Sequence, residues 1–328
     1  MLRTVAARAV RPRRIAASPW IVARQACRCL SSTSSAPAPG PSPDRSSSST
    51  RTTNTISEQE IAHFSSLSAH WWDPTGEFGL LHRMNPSRIE FMRDELIKDR
   101  ELPPTNWLQG KEVLDVGCGG GIFAESIARL GANTLAIDAS SANISVAQTH
   151  ASLDPSLRLV NSDIPRPESL TAHDSSPSSR NRGSLEYRHC AAEDLVAQGK
   201  QFDVVCAMEV IEHVEDPAGF LECLMNLTKP GGHLLLSTIS RTALAKLLTI
   251  TMAEHVLRLV TPGTHTYSKY LKPEELQEFF DERKWWGMET RGCVYNPLRG
   301  RWRLLQPNEY FGLGQLANYF AGVRKPLQ

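Results

Sequence analysis

With 328 residues, 41% of them hydrophobic, the chain has room for one large or two ordinary domains and enough apolar mass for a true core. Its 36 basic and 35 acidic residues leave a net charge of +1, which gives no bulk-charge basis for a nucleic-acid partner. The seven cysteines show no CxxC spacing; without Cys27 and Cys29 they number five, an odd set in mostly apolar surroundings that reads as reduced thiols rather than disulfides or zinc ligands.

The charge is unevenly spread. Asp44 is the only acid in residues 1–57, while Arg3, Arg8, Arg11, Arg13, Arg14, Arg24 and Arg28 crowd the first thirty, and residues 31–55 are mostly Ser, Thr, Pro and Arg. An Arg-rich, Ser-rich, acid-poor start without the uninterrupted apolar core of a secretory signal has the composition of a mitochondrial transit peptide. Residues 1–56 are therefore expected to be a transit peptide and a disordered Ser/Pro-rich linker, and residues 57–328 one folded domain.

Ser57-Glu58-Gln59-Glu60 reads as a capping box before Ile61, Phe64 and Leu67 at helical spacing, and a second helix is expected over 85–98. Strands at 112–116, 133–138, 185–189, 202–207 and 233–238 then alternate with helices at 121–130, 141–150 and 217–227, and two more strands are expected near 286–294 and 314–323. Such alternation predicts a doubly wound α/β fold, a seven-stranded Rossmann-like sheet with helices on both faces. One interruption, 165–184, is rich in Ser, Pro and Arg without periodicity and is expected to be a disordered surface insertion.

Val113-Leu114-Asp115-Val116-Gly117-Cys118-Gly119-Gly120-Gly121 joins the first strand to its helix, where a ligand can approach bare backbone at the carboxyl end of a parallel sheet. Ile122 stands where a nicotinamide fingerprint needs its third glycine, and Asp115 would repel a pyrophosphate. A cationic ligand without phosphate fits better. Asp138 ends the second strand 21 residues after Gly117, where a carboxylate can bind both ribose hydroxyls, and Glu193-Asp194 could accept from an adenine amino group. Ribose, adenine and a positive sulfur together describe S-adenosylmethionine.

After the fourth strand, AMEVIEHVEDP places four acids and a histidine between Glu209 and Asp216. Glu215 and Asp216 precede Pro217 and read as the start of the next helix. If 208–213 is helical, Glu209, Glu212 and His213 at i, i+3 and i+4 converge as an O, O, N set suited to Mg, Mn or Zn. His213 acting alone as a general base, or a merely solvated helix start, are the alternatives. Further on, residues 243–260 are apolar but carry Lys246, Glu254, His255 and Arg258; they are too short and too charged to span a bilayer, and read as a core helix or an interfacial one.

HWWDPTGEFGLLHRMNPSRIEF, VLDVGCGGGIFAESIARLGA, CAMEVIEHVEDP, KPGGHLLLSTISR and TPGTHTYSKYLKPEEL together make the chain similar, over about residues 58–325, to class I methyltransferases and more narrowly to the ubiquinone-biosynthesis O-methyltransferases. The resemblance implies methyl transfer from S-adenosylmethionine to catechol-type hydroxyls of polyprenylated intermediates (3,4-dihydroxy-5-polyprenylbenzoate and demethylubiquinol), with no catalytic residue assigned. It places cofactor contacts on Arg88, Gly117, Asp138 and Met208, and a divalent metal, Mg before Mn or Zn, on Glu209, Glu212 and His213. It further implies a peripheral place on the matrix side of the mitochondrial inner membrane, within a multi-subunit coenzyme Q biosynthetic complex. A methyltransferase for another small molecule and a non-catalytic cofactor-binding scaffold subunit are the rival readings.

Overall fold

Strands covered on both faces must be apolar on both sides of the pleat, and β1 (Glu112–Val116) and β4 (Phe202–Met208) are buried almost throughout. Val204 and Cys206 of β4 pack in one core with Phe91, Met92 and Ile127, while Val205 and Ala207, equally buried, point to the opposite face. The computed structural model describes residues 55, 57–98, 101–103, 105–162, 164–165, 183–248, 266–306 and 309–327. Apart from Thr55, the transit peptide and linker expected over 1–56 lie outside these residues, as do 166–182 of the expected insertion and 249–260 of the apolar segment.

The chain enters through α1 (Glu58–Ser66) and α2 (Gly79–Ile97), then alternates through β1, α3 (Ile122–Arg129), β2 (Asn133–Asp138), α4 (Ser141–Ser152), β3 (Leu185–His189), α5 (Ala192–Ala197), β4, α6 (Pro217–Leu227) and β5 (Thr228–Ile239). A short α7 (Ala243–Lys246), α8 (Pro273–Glu282), β6 (Glu289–Asn296), β7 (Arg301–Leu304) and β8 (Asn318–Arg324) follow. The strands form one sheet in the order β3-β2-β1-β4-β5-β8-β6-β7. β1 to β5 pair in parallel, and β8 runs antiparallel between β5 and β6. The direction of winding reverses between β1 and β4, so a crevice opens beyond their carboxyl ends.

The doubly wound class is as expected, but the sheet has eight strands rather than seven. The added β7 forms a hairpin with β6, turning through Asn296-Pro297 and Gly300. The second helix begins at Gly79, not at residue 85, and runs through Pro86, which lacks the N–H that the His82 carbonyl would otherwise receive. Ser57 caps α1 without any side-chain hydrogen bond, and Glu60, the far half of the expected capping box, is turned to other partners. Among the described residues all five cysteines are free thiols, and no helix is long and apolar enough to cross a membrane.

Candidate functional site

The loop from β1 to α3 is held close to β2. Gly117 and Cys118 donate their N–H groups to the Ile137 carbonyl at 2.8 and 3.0 Å, and the Gly119 N–H donates to Asp138 Oδ2 at 2.9 Å. Gly117 has φ 71°, and a Cβ there would sit 2.6 Å from a Val210 methyl; one at Gly119, φ 53°, would sit 2.3 Å from the Trp71 ring. Only glycine allows this approach. Asp138 Oδ1 accepts from the Ser140 N–H at 2.8 Å and from Asn143 Nδ2 at 3.2 Å, so its carboxylate ties the glycine loop to the start of α4. Burial raises its pKa despite these bonds.

Beneath the loop lie two buried charges that the protein leaves partly unanswered. Arg88, brought in by α2, is 4% exposed, and its Nε and Nη2 have no hydrogen-bond partner; Asp115, at 2%, has an unpartnered Oδ2. Burial pulls the Arg88 pKa down, against the pull of Glu209 and Asp115. Burial likewise pushes Asp115 up to about 7, with Arg88 opposing and Asp138 adding to the rise. Buried polar groups are ordinarily paired, so an open guanidinium edge and an open carboxylate match a ligand with both a carboxylate and an ammonium group.

The acidic stretch is not the single helical turn expected. Met208 ends β4, Glu209 takes φ 59°, and only Ile211–His213 winds, as a 3-10 turn. A left-handed residue with a side chain costs about 1 to 2 kcal/mol, and such strain concentrates at functional sites. The Glu209 N–H is held by the Ser237 carbonyl at 3.0 Å and hydroxyl at 3.1 Å, while its Oε1 is buried without a partner. Glu212 Oε2 accepts from the Thr238 hydroxyl at 2.9 Å. Burial and then the nearby Glu209 push Glu212 up to about 7, against the pull of His213. Among the described residues no three His, Cys, Asp or Glu side chains are grouped to hold a metal ion. What remains is the donor chemistry, two neighbouring carboxylates with one buried oxygen unsatisfied. Asp216 caps α6 at the Gly219 N–H, 3.0 Å, as expected for a helix start.

The sequence assigns Glu60, Trp71 and Trp72 no stated role at this site. Glu60 of α1 accepts from His213 Nδ1 at 3.1 Å and from Lys269 Nζ at 3.0 Å. Although burial opposes it, hydrogen bonding and charge from His213 and then Lys269 hold Glu60 down at about 2. Burial lowers the His213 pKa, but Glu60 and Glu212 outweigh it and leave the pKa raised. Trp71 Nε1 donates to Asn143 Oδ1 and Trp72 Nε1 to the Gly120 carbonyl, both at 2.9 Å, so the paired tryptophans roof the glycine loop. Thr55 gives its N–H and hydroxyl to Glu193 Oε1 at 3.0 and 2.6 Å, and Asp194 caps its own helix at the Ala191 N–H, so these two acids are largely spoken for by the protein. An unbroken aromatic pair outside any helical period was the one available hint of the roof.

A cavity of about 730 Å³ collects these parts: Arg88, Gly117, Asp138, Met208, Glu209, Glu212 and His213 all line it, with Glu60, Trp71 and Asp115. Residues 87–287 match a family model described as a methyltransferase domain. The ubiquinone biosynthesis O-methyltransferase of Dinoroseobacter shibae is 37% identical over 77% of this chain and 92% of its own length. The mitochondrial enzyme of that name from Arabidopsis thaliana is also 37% identical, over 77% of this chain and 71% of its own. The mitochondrial one from Schizosaccharomyces pombe reaches 46% over 84% of this chain and 88% of its own. Likeness at that level, running through both the glycine loop and the acidic turn, shows that the chain belongs to the ubiquinone biosynthesis O-methyltransferase family.

Proposed function

We propose that this protein transfers the methyl group of S-adenosylmethionine to catechol-type hydroxyls of polyprenylated ring intermediates in ubiquinone biosynthesis. The observation that carries the reading is the single cavity in which the glycine loop, Arg88, Asp115, Asp138 and the acidic turn meet. Arg88 takes the cofactor's carboxylate and Asp115 its ammonium, Gly117 admits its backbone-hugging middle, Asp138 takes the ribose hydroxyls and Met208 lies against the adenine. In the transfer, a catechol oxygen forms a bond to the methyl carbon as the carbon–sulfur bond breaks; the phenolic proton leaves, and S-adenosylhomocysteine departs with a neutral sulfur. His213 stands at the substrate side as a group able to accept or relay that proton.

The residues that would hold a divalent ion are Glu209, Glu212 and His213, with Mg first and Mn or Zn as alternatives. The unpartnered Glu209 oxygen and the mutual repulsion of the two carboxylates support this donor set in chemistry. Such an ion, when bound, supplies Lewis acidity that favours an ionised catechol. Chelation is expected to abolish turnover while leaving S-adenosylmethionine binding unchanged, with Mg restoring activity. Full activity in metal-free protein removes the ion from the reading.

A polyprenylated substrate resides in lipid, and Leu244, Leu247 and Leu248 at and after α7 are 42%, 50% and 44% exposed, which supports a peripheral membrane contact. The composition of residues 1–56 supports a transit peptide, hence a place at the matrix side of the inner membrane, and the sequential chemistry of ring modification supports a shared biosynthetic complex. The test of the whole reading is mass spectrometry of quinone intermediates in cells lacking the protein. Accumulated dihydroxybenzoates lacking the methyl group are expected, and an unchanged quinone pool overturns it.

A further inference from the structure

His213 has two ring nitrogens, and the fold spends one of them. Its Nδ1 is 3.1 Å from Glu60 Oε2, the one hydrogen bond of the His213 ring among the described residues, and the ring lines the cavity. Glu60 comes from α1, 153 residues earlier in the chain, and its other oxygen is taken by Lys269 at 3.0 Å. The Phe64 ring, one turn further along α1, makes a T-shaped contact with the His213 ring, with centroids 5.0 Å apart and planes at 89°. The ring is therefore fixed by a hydrogen bond at one edge and an aromatic contact on its flank. A carboxylate beside an ammonium group is ionised and can only accept, so the ring nitrogen facing it must be the one that carries hydrogen.

We propose that Glu60, anchored by Lys269, is a positioning residue that holds His213 with Nδ1 protonated and so presents the Nε2 lone pair to whatever occupies the cavity. This deepens the methyltransferase reading and rests on His213 belonging to its site. A lone pair at Nε2 is what either role of His213 requires, acceptance of a phenolic proton or coordination of a cation, and neither is served by the opposite tautomer. It also assigns a task to α1, which otherwise contributes no group to the cofactor contacts. Lys269 sits just past the segment outside the described residues, so the clamp joins the two parts of the chain that flank the acidic turn on either side.

The test is made on the full-length protein labelled with 15N-histidine, by long-range 1H–15N correlation at a pH where the ring is neutral, with His213→Asn identifying the signal. The Nδ1–H form is expected in the wild type, without substrate or metal. In Glu60→Ala the Nε2–H form should appear. Turnover should fall roughly 10- to 100-fold, the range for losing a partner behind a functional histidine. Affinity for S-adenosylmethionine should stay within about twofold, since cofactor contacts lie elsewhere, and Glu60→Asp should recover part of the turnover. An Nε2–H ring in the wild type overturns the proposal with no variant needed, which keeps it testable even where Glu60→Ala does not fold. An equal loss of turnover and cofactor affinity also overturns it, because that marks Glu60 as merely structural. If the protein methylates something other than a catechol, the tautomer result is untouched, so the two readings fail separately.

Discussion

Trp72 lies flat on His150, with ring centroids 3.3 Å apart and planes 4° apart, and its indole Nε1 reaches past the imidazole to the Gly120 carbonyl. His150 is in turn held by Glu125, whose wholly buried carboxylate accepts from His150 Nδ1 at 2.7 Å and from Arg129 at 2.6 Å. The position of the glycine loop is thus set from outside by an aromatic platform as well as from beneath by β2.

Replacing Trp72 by Phe keeps a stacking ring but removes the donor to Gly120. A neutral hydrogen bond contributes about 0.5 to 1.5 kcal/mol, so affinity for S-adenosylmethionine is expected to weaken roughly three- to tenfold with the fold retained. Calorimetric titration reading wild-type affinity would show that the loop holds its shape without the indole.

Asp138→Ala removes the proposed ribose acceptor and also strands the N–H groups of Gly119 and Ser140. A loss of about 1.5 to 3 kcal/mol in cofactor binding is expected, the range for bonds to a charged group, together with a lower melting temperature. Asp138→Asn, which keeps one acceptor and the shape, should recover most of the melting temperature but not the affinity. If the Asn variant binds as the wild type does, Asp138 is a loop tie and not a cofactor contact.

The raised carboxyl of Asp115 gives the ligand-free protein a signed pH dependence. With a folded pKa of about 7 against an ordinary 3.8, the native state keeps a proton that the unfolded chain has released between those values. Stability therefore falls as pH rises through that window and levels off above it. Glu212, also at about 7, adds to the same slope. Glu60 runs the other way, stabilising above its ordinary 4.5 and losing that contribution as pH falls toward 2. Melting temperatures between pH 5 and 8 should decline in the wild type, and Asp115→Asn should make the decline shallower without abolishing it, since Glu212 and the raised His213 add to the same slope. A slope identical in both proteins means that Asp115 is ionised in the fold.

Leu247 and Leu248 are already about half in solvent, so changing both to Ser should leave stability within about 0.5 kcal/mol, the usual range for exposed positions. Binding to liposomes should nevertheless drop if this edge meets lipid. Unaltered flotation of the double variant would move the membrane contact to another surface.

The parallel half of the sheet was legible because its strands are short apolar runs set off by glycine and followed by amphipathic helices; β1, β2 and β3 begin and end where that pattern changes. Gly117 and Asp138 were legible for the same reason, since a doubly wound sheet forces both to the carboxyl edge. The acidic turn was misread in form. Periodicity alone cannot tell a helical turn from a strand end that bends through a left-handed residue, and Glu209 bends because its N–H is claimed by Ser237, a partner 28 residues away. Glu60 was hidden more deeply. In the sequence it completes a capping box, and only the tertiary fold turns it away from its own helix toward His213. The β7 strand alternates, Arg301-Trp302-Arg303-Leu304, but four residues are too few for alternation to mark a strand.

The place of β8 in the sheet bears on how this chain comes into being. It fills the gap between β5 and β6, pairing from His233↔Arg324 to Ile239↔Asn318 on one side and from Glu289↔Gly322 to Cys293↔Asn318 on the other. A ribosome, or any channel that threads the polypeptide from its N-terminus, delivers residues 318–324 after every other strand. Until they arrive, β5 and β6 each present an open edge at what becomes the middle of the sheet, where stray pairing with another chain is easiest. The nascent protein therefore needs shielding until residues 318–324 have emerged, and removal of those residues would split the sheet and not merely trim it.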